Sequence, residues 1–135
     1  MQLLKIYYAY FSPGNTTEKV VSHITSSFQN YPVESINLTD YATRQEDYYF
    51  KENELLIIGV PAYGGRVPAP VVDALRHFTG SNTPVVLVAT YGNRDIDDTL
   101  IELKKNVIDK GFIPVGAASF VCQHTFLKEC AEGRR

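Results

Sequence analysis

The chain has no tryptophan, one methionine and only two cysteines in 135 residues. Cys122 and Cys130 match neither zinc-ligand nor C-x-x-C redox spacing. Cys122 sits in an apolar run and reads as a buried thiol. Nothing near Cys130 would clearly lower its pKa, so a reactive role has little support. Adding His124 gives two thiols and one imidazole without a fourth ligand, and no metal site is expected. No apolar run approaches the roughly 20 residues that span a bilayer. The segment Met1–Lys5 has neither the basic start nor the cleavage site of a signal peptide, and the expected location is cytoplasmic. Charge of one sign is also missing. Thirteen basic residues against fifteen acidic ones leave a net charge of -2, and nothing resembles the basic footprint of a nucleic-acid binder. The glycine fingerprint of a dinucleotide site, the G-x-S-x-G of a hydrolase and the G-K-[ST] of a purine NTPase are all absent. There are no repeats, low-complexity tracts or linkers, so residues 1–135 read as one domain.

What is present is an alternation. Leu3 to Tyr10 reads as a strand, Glu18 to Phe28 as a helix with Val20, Val21, Ile24 and Phe28 on one face, and Val33 to Leu38 as a short strand. Glu54 to Val60 carries Leu55, Leu56, Ile57 and Ile58 unbroken, the pattern of a strand buried on both faces. Pro70 to Phe78 has helical spacing with proline in the first turn. Pro84 to Thr90 is a second buried strand, Asp95 to Lys110 a helix stopped by Gly111, and Ile113 to Val121 a last strand. This order predicts a parallel sheet with helices on both faces. Thr39 to Asn53, with Tyr41, Tyr48, Tyr49 and Phe50, is expected to form a short helix or a packed loop. A receiver domain would share the strand order but needs acidic residues where this chain has Tyr10-Phe11 and Gly59-Val60.

Ser12-Pro13-Gly14-Asn15-Thr16-Thr17 lies between the first strand and the first helix. Helix-start amides lack intrahelical partners and carry the positive end of the dipole, so a hydroxyl-rich turn there makes an anion cradle. The loop contains no Lys or Arg, which suits a permanently held phosphomonoester better than a transferred phosphoryl group. The plainer alternative is an ordinary strand-to-helix turn.

In such sheets ligands bind beyond the carboxyl ends of the strands. The loops there are Pro61-Ala62-Tyr63-Gly64-Gly65-Arg66 and Thr90-Tyr91-Gly92-Asn93-Arg94. Each carries Tyr followed by Gly directly after a buried strand. Tyr63 and Tyr91 offer stacking faces for a flat ring, and the glycines allow close backbone approach. Taken singly, each tyrosine reads as a cover for a strand end; beside the Ser12–Thr17 loop, the ring reading is favoured. Arg66 and Arg94 either contact the ligand or an acidic partner, or are solvated. His124 reads more readily as a core or capping residue than as a proton donor, and no catalytic residue is assigned.

Across Leu4 to about Arg134, the chain resembles flavodoxins, and more closely the flavodoxin domains of bacterial and archaeal proteins often fused to a ferredoxin module. The resemblance rests on Phe11–Thr17, Gly59–Pro70, Tyr91–Arg94 and Gly116–Phe126. It implies an α/β flavodoxin-like doubly wound five-stranded parallel sheet, order 2-1-3-4-5, holding one FMN. The phosphate positions would fall on Ser12, Asn15, Thr16 and Thr17, with the Tyr63 and Tyr91 loops flanking the isoalloxazine and a carbonyl near Gly64-Gly65 facing its N5. It further implies an electron carrier rather than a turnover enzyme, with a ferredoxin-type or reductase partner. With no cation in the loop and Asp95, Asp97 and Asp98 close in sequence, a low potential is expected.

The chain departs from the pattern in three ways. Gly14-Asn15 stands where relatives usually have Thr-Gly, so a hydroxyl is lost and Asn must take any positive φ. The C-terminal helix is expected to be short or missing, which predicts a homodimer or a truncated domain. No ferredoxin cysteine cluster is present. The alternative function is therefore a flavin-free interaction domain of the same fold, or a fragment of a larger flavin and iron–sulfur oxidoreductase. A flavin-dependent reductase is a weaker third.

Overall fold

Leu56, Ile57, Ile58 and Val60 have no solvent exposure, and a run buried this completely needs a strand on each side and helices over both faces. The computed structural model, which describes residues 2–28, 30–63, 65–91 and 97–121, supplies both. In chain order its elements are β1 (Lys5–Tyr10), α1 (Thr16–Thr25), β2 (Val33–Asn37), α2 (Tyr41–Arg44), β3 (Tyr48–Tyr49) and β4 (Glu54–Pro61). There follow α3 (Ala69–Leu75), β5 (Phe78–Thr79), β6 (Thr83–Tyr91), α4 (Asp97–Asp109) and β7 (Phe112–Val121). Five strands form one parallel sheet in the order β2-β1-β4-β6-β7. This is the flavodoxin-like order expected from the sequence, with the central run paired to β1 from Lys5↔Glu54 to Tyr10↔Gly59 and to β6 from Leu56↔Val85 to Pro61↔Thr90.

The alternation of side chains along β4 divides the core. Ile57 joins Ile6, Val20, Val21 and Val88 under α1. Leu56, Ile58 and Val60 face the other way and pack with Val71, Ala74, Leu75, Leu103 and Val107 of α3 and α4. The pairing of β6 with β7 shifts register between Val85 and Val86, whose partners are Pro114 and Gly116, so Val115 is an inserted residue.

The structure differs from the sequence expectation at several boundaries. Helix α1 starts at Thr16, two residues before Glu18, and ends at Thr25 rather than Phe28. That placement puts Thr16 and Thr17 in the first helical turn. Helix α3 stops at Leu75 because Phe78-Thr79 is taken by β5, which pairs in parallel with Tyr48-Tyr49 of β3. The Thr39–Asn53 segment accordingly holds the short helix α2 and this strand. The strand delivers Phe50 into the core, where its ring meets Tyr7, Phe78 and Phe112 at centroid distances of 4.9, 5.3 and 5.3 Å. The expected helix start at Asp95, Cys122, His124, Cys130 and the C-terminal segment lie outside the described residues, as do Gly64, Gly92, Asn93 and Arg94.

One close approach positions everything at the carboxyl edge of the sheet. Gly59 of β4 lies directly beneath α1, and a Cβ there would collide with the Val21 side chain and come within 3.2 Å of Thr17 Cγ2. Gly59→Ala must therefore lift α1 off the sheet. It is expected to cost about 1–3 kcal/mol, the usual scale for overpacking a filled core. The readout is a lower urea midpoint at unchanged slope; an unmoved midpoint would show that α1 has slack at this contact.

Candidate functional site

Strands β1, β4 and β6 are neighbours, so the segments that leave their carboxyl ends converge. They enclose a cleft of about 280 Å³ lined by Ser12, Pro13, Gly14, Thr16, Thr17, Pro61, Ala62, Tyr63, Thr90 and Tyr91. This lies near the lower end of ligand-pocket volumes, roughly 300–1,000 Å³. Ten of the sequence-predicted site residues are thus brought together. The described part of the lining has neither a carboxylate nor a cation, and every polar group in it is a neutral amide, carbonyl or hydroxyl.

The first segment is held on both sides. The Phe11 amide donates to the Gly59 carbonyl (3.1 Å), and the Ser12 amide donates to Thr39 Oγ1 (2.7 Å). The Thr39 amide in turn donates to Asn37 Oδ1 (3.0 Å), and Arg44 grips the Leu38 and Thr39 carbonyls at 2.9 and 3.1 Å. Asp40 caps α2 by accepting from the Thr43 amide and hydroxyl, which holds its carboxyl below the usual carboxylate range. Sequence reasoning missed Thr39 and Arg44 as supports of the loop. The signal that was available is the Asn37-x-Thr39-Asp40 turn-and-cap pattern.

Asn15 takes φ 67°, the left-handed region, as the N-cap of α1, and its side chain makes no capping bond. That role passes to Ser12, whose Oγ accepts from the Glu18 amide (2.9 Å). A hydroxyl has one proton and two acceptor positions, so Ser12 still has its proton to donate. The Gly14 position is open: a Cβ there would meet nothing within 4 Å. Beside the loop, burial pushes the Tyr10 phenol up to about 12, with Glu18 adding to the shift, so it is a neutral group at physiological pH.

Thr17 Oγ1 and Thr90 Oγ1 lie 2.7 Å apart, both residues almost fully buried. Two hydroxyls share one bond, which uses one of their two protons. The pair therefore presents one unspent O–H at the cleft, whichever of the two donates.

The ring side is built from β4. The Ala62 amide donates to the Thr90 carbonyl (2.8 Å), tying the loop to β6. Tyr63 and Arg66 then exchange two backbone bonds, at 2.9 and 3.0 Å, closing a turn in which Gly65 has φ 80°. Tyr63 is half exposed and meets Phe11 edge-on at 6.3 Å. Tyr91 ends β6 and is partly buried. Arg66, Gly65 and Asn15 do not line the cleft. The Arg66 guanidinium turns away to Glu102 of α4, Nε to Oε1 at 3.0 Å and Nη2 to Oε2 at 3.3 Å. Glu102 Oε1 also accepts from the Val67 amide (3.0 Å). Sequence reasoning missed Glu102. Its only signal was a buried-side acid on α4, one turn after Asp98.

No protein-family model and no curated protein sequence matches the chain. Solved structures do. The chain superposes on a flavodoxin from the domain Archaea with TM-score 0.64 at 15% identity, covering 96% of this chain and 93% of that one. It matches two-electron reduced Megasphaera elsdenii flavodoxin with TM-score 0.64 at 20% identity, covering 95% and 96%. It also matches the Flv1 flavodiiron core from Synechocystis sp. PCC6803 with TM-score 0.61 at 18% identity, where 98% of this chain spans 34% of the larger one. At these identities the likeness establishes the flavodoxin-like fold.

The Thr17–Thr90 bond yields a direct test in the ligand-free protein. Thr17→Val or Thr90→Val alone leaves a buried hydroxyl without its partner and is expected to cost about 1–3 kcal/mol. The double variant removes both groups and should recover much of the loss, giving a coupling of about 1 kcal/mol or more in a denaturation cycle. Strict additivity would mean that the two hydroxyls do not act as a pair.

Proposed function

We propose that this chain binds FMN and serves as an electron carrier, or as the carrier domain of a larger oxidoreductase. The observation that carries the reading is a charge-free donor cradle at the start of α1, opening into the same cleft as two tyrosines from neighbouring strands. Neutral N–H and O–H donors can hold a phosphomonoester dianion without cancelling its charge, which suits an anchor rather than a group in transfer. Ser12, Thr16 and Thr17 would hold the phosphate, with the first-turn amides of α1 and the unspent Thr17–Thr90 proton completing the set. Gly14 and Asn15 shape the bend. Tyr63 and Tyr91 would flank the isoalloxazine, with Pro61, Ala62 and Thr90 forming its backbone frame and Gly65 shaping the turn behind Tyr63. Gly64, Gly92, Asn93 and Arg94 would complete the ring side, while Arg66 stays outside the cleft on Glu102.

When bound, FMN supplies one- and two-electron redox chemistry, and the protein supplies binding and environment. The described lining of the cleft contains no His, Cys, Lys, Asp or Glu. Its reactive groups are hydroxyls and phenols that lack a neighbouring His, Lys or carboxylate to activate them within the described lining, which supports the carrier role. A partner of ferredoxin or reductase type, a single domain over residues 1–135, a cytoplasmic setting and a homodimeric state belong to the same proposal. No described helix is long and apolar enough to cross a membrane.

The test is titration of the purified protein with FMN, following the visible spectrum and flavin fluorescence. Quenching by the tyrosines that saturates below about 10 μM is expected, equivalent to about -7 kcal/mol. Absence of quenching would refute the reading and identify a flavodoxin-like domain that functions without flavin. Gly14→Thr sharpens the test, because the open space there admits a hydroxyl at the cradle. It is expected to tighten FMN about tenfold, the scale of one hydrogen bond to a charged group, while leaving riboflavin affinity unchanged. An equal gain for both flavins would place the phosphate elsewhere.

A further inference from the structure

We propose that Glu102, on α4 and outside the cleft, is the positioning residue of the ring side: it fixes the Tyr63–Arg66 turn so that Tyr63 stands ready to stack. This inference rests on the flavin reading above. The turn needs outside support for a reason visible in the sequence. Residues 64 and 65 are both glycine, which has the largest conformational freedom to lose on ordering. Tyr63 is half exposed, and its ring contact is the edge of Phe11. Its position therefore follows the backbone rather than a packed socket.

That backbone is tied down at each end. On the β4 side Ala62 is bonded to Thr90. On the far side the single carboxylate of Glu102 receives three N–H groups, two from Arg66 and the amide of Val67. An exposed ion pair alone is worth little, and the Arg66 side chain is 70% exposed. The Val67 bond makes this contact different. It fixes main chain, next to a side chain that is buried among α3 and α4 residues. The Arg66 and Val67 bonds hold the Glu102 carboxyl below the usual carboxylate range, so it is charged at neutral pH. Ordering the turn in advance removes a cost that ring binding would otherwise bear.

The experiment compares the wild-type chain with Glu102→Ala and Glu102→Gln in two assays. The first is titration with FMN and with riboflavin. Glu102→Ala is expected to weaken both by the same factor, about tenfold, the equivalent of about 1.4 kcal/mol. The ratio of the two affinities should be unchanged, because the phosphate cradle is untouched. Glu102→Gln keeps an acceptor for the Val67 amide and should show a smaller loss. The second assay is tryptic cleavage at the Arg66–Val67 bond in the flavin-free protein, expected to quicken about tenfold or more in Glu102→Ala as the local opening becomes more populated. Unchanged riboflavin affinity, or a loss confined to FMN, would overturn the proposal. If the wild type binds neither flavin, the functional reading fails on its own. The cleavage rates then decide the clamp: unaltered cleavage in Glu102→Ala overturns it.

Discussion

The site depends on one van der Waals constraint. Helix α1 rests on the backbone of β4 at Gly59, with Val21 and Thr17 occupying the space that a side chain would take. At that separation Thr17 reaches Thr90 on the next strand, and the Glu18 amide reaches Ser12. A helix lifted even slightly would lose both bonds, because hydrogen bonds weaken steeply with length and angle. The cradle is thus a consequence of core packing more than of loop sequence. Its polar groups are placed by apolar contacts of Val20 and Val21 with Ile6, Ile57 and Val88.

The two halves of the cleft are held by different physics. On the cradle side the bonds that touch the cleft residues join neutral groups, Ser12 to Thr39 and Thr17 to Thr90, with the Arg44 guanidinium one step behind them. On the ring side the Tyr63 and Arg66 side chains are exposed, and the support of the turn is an ionised carboxylate that spans from α4. The charge is kept outside the cleft. Arg66 is balanced by Glu102 rather than pointed inward, so the described lining stays neutral on both sides. From the described lining, a group that changes charge during its chemistry would meet fixed dipoles rather than charged side chains.

Much of this could be read from residues in order. The unbroken apolar runs of β4 and β6 and the Tyr–Gly loops after them located the sheet centre and the cleft, because burial on both faces leaves no other pattern. Ser12, Thr16 and Thr17 were legible as a cradle from their place between strand and helix. What escaped was set by pairing across the chain. Tyr48-Tyr49 and Phe78-Thr79 are strands only because each supplies the other's partner, and either alone is too short for a periodic signal. Arg66 read either as a contact to ligand or partner or as a solvated charge, since Glu102 lies 36 positions away on a helix whose phase the sequence does not fix to a few ångströms. Thr39 supports Ser12 across 27 positions for the same reason.

The Gly14-Asn15 pair shows how local and tertiary demands are divided in the loop. Glycine occupies a position with open space around it, while asparagine takes the left-handed conformation that glycine would adopt more readily. Asn is among the residues that accept positive φ at low cost, so the bend survives the exchange. Its side chain does not cap the helix, yet the cap is not lost, because Ser12 supplies the acceptor from three residues upstream. The capping duty in this chain thus falls to a residue already held by Thr39. At position 14 the backbone lines the cleft with open space where a side chain would stand, and no hydroxyl is contributed there.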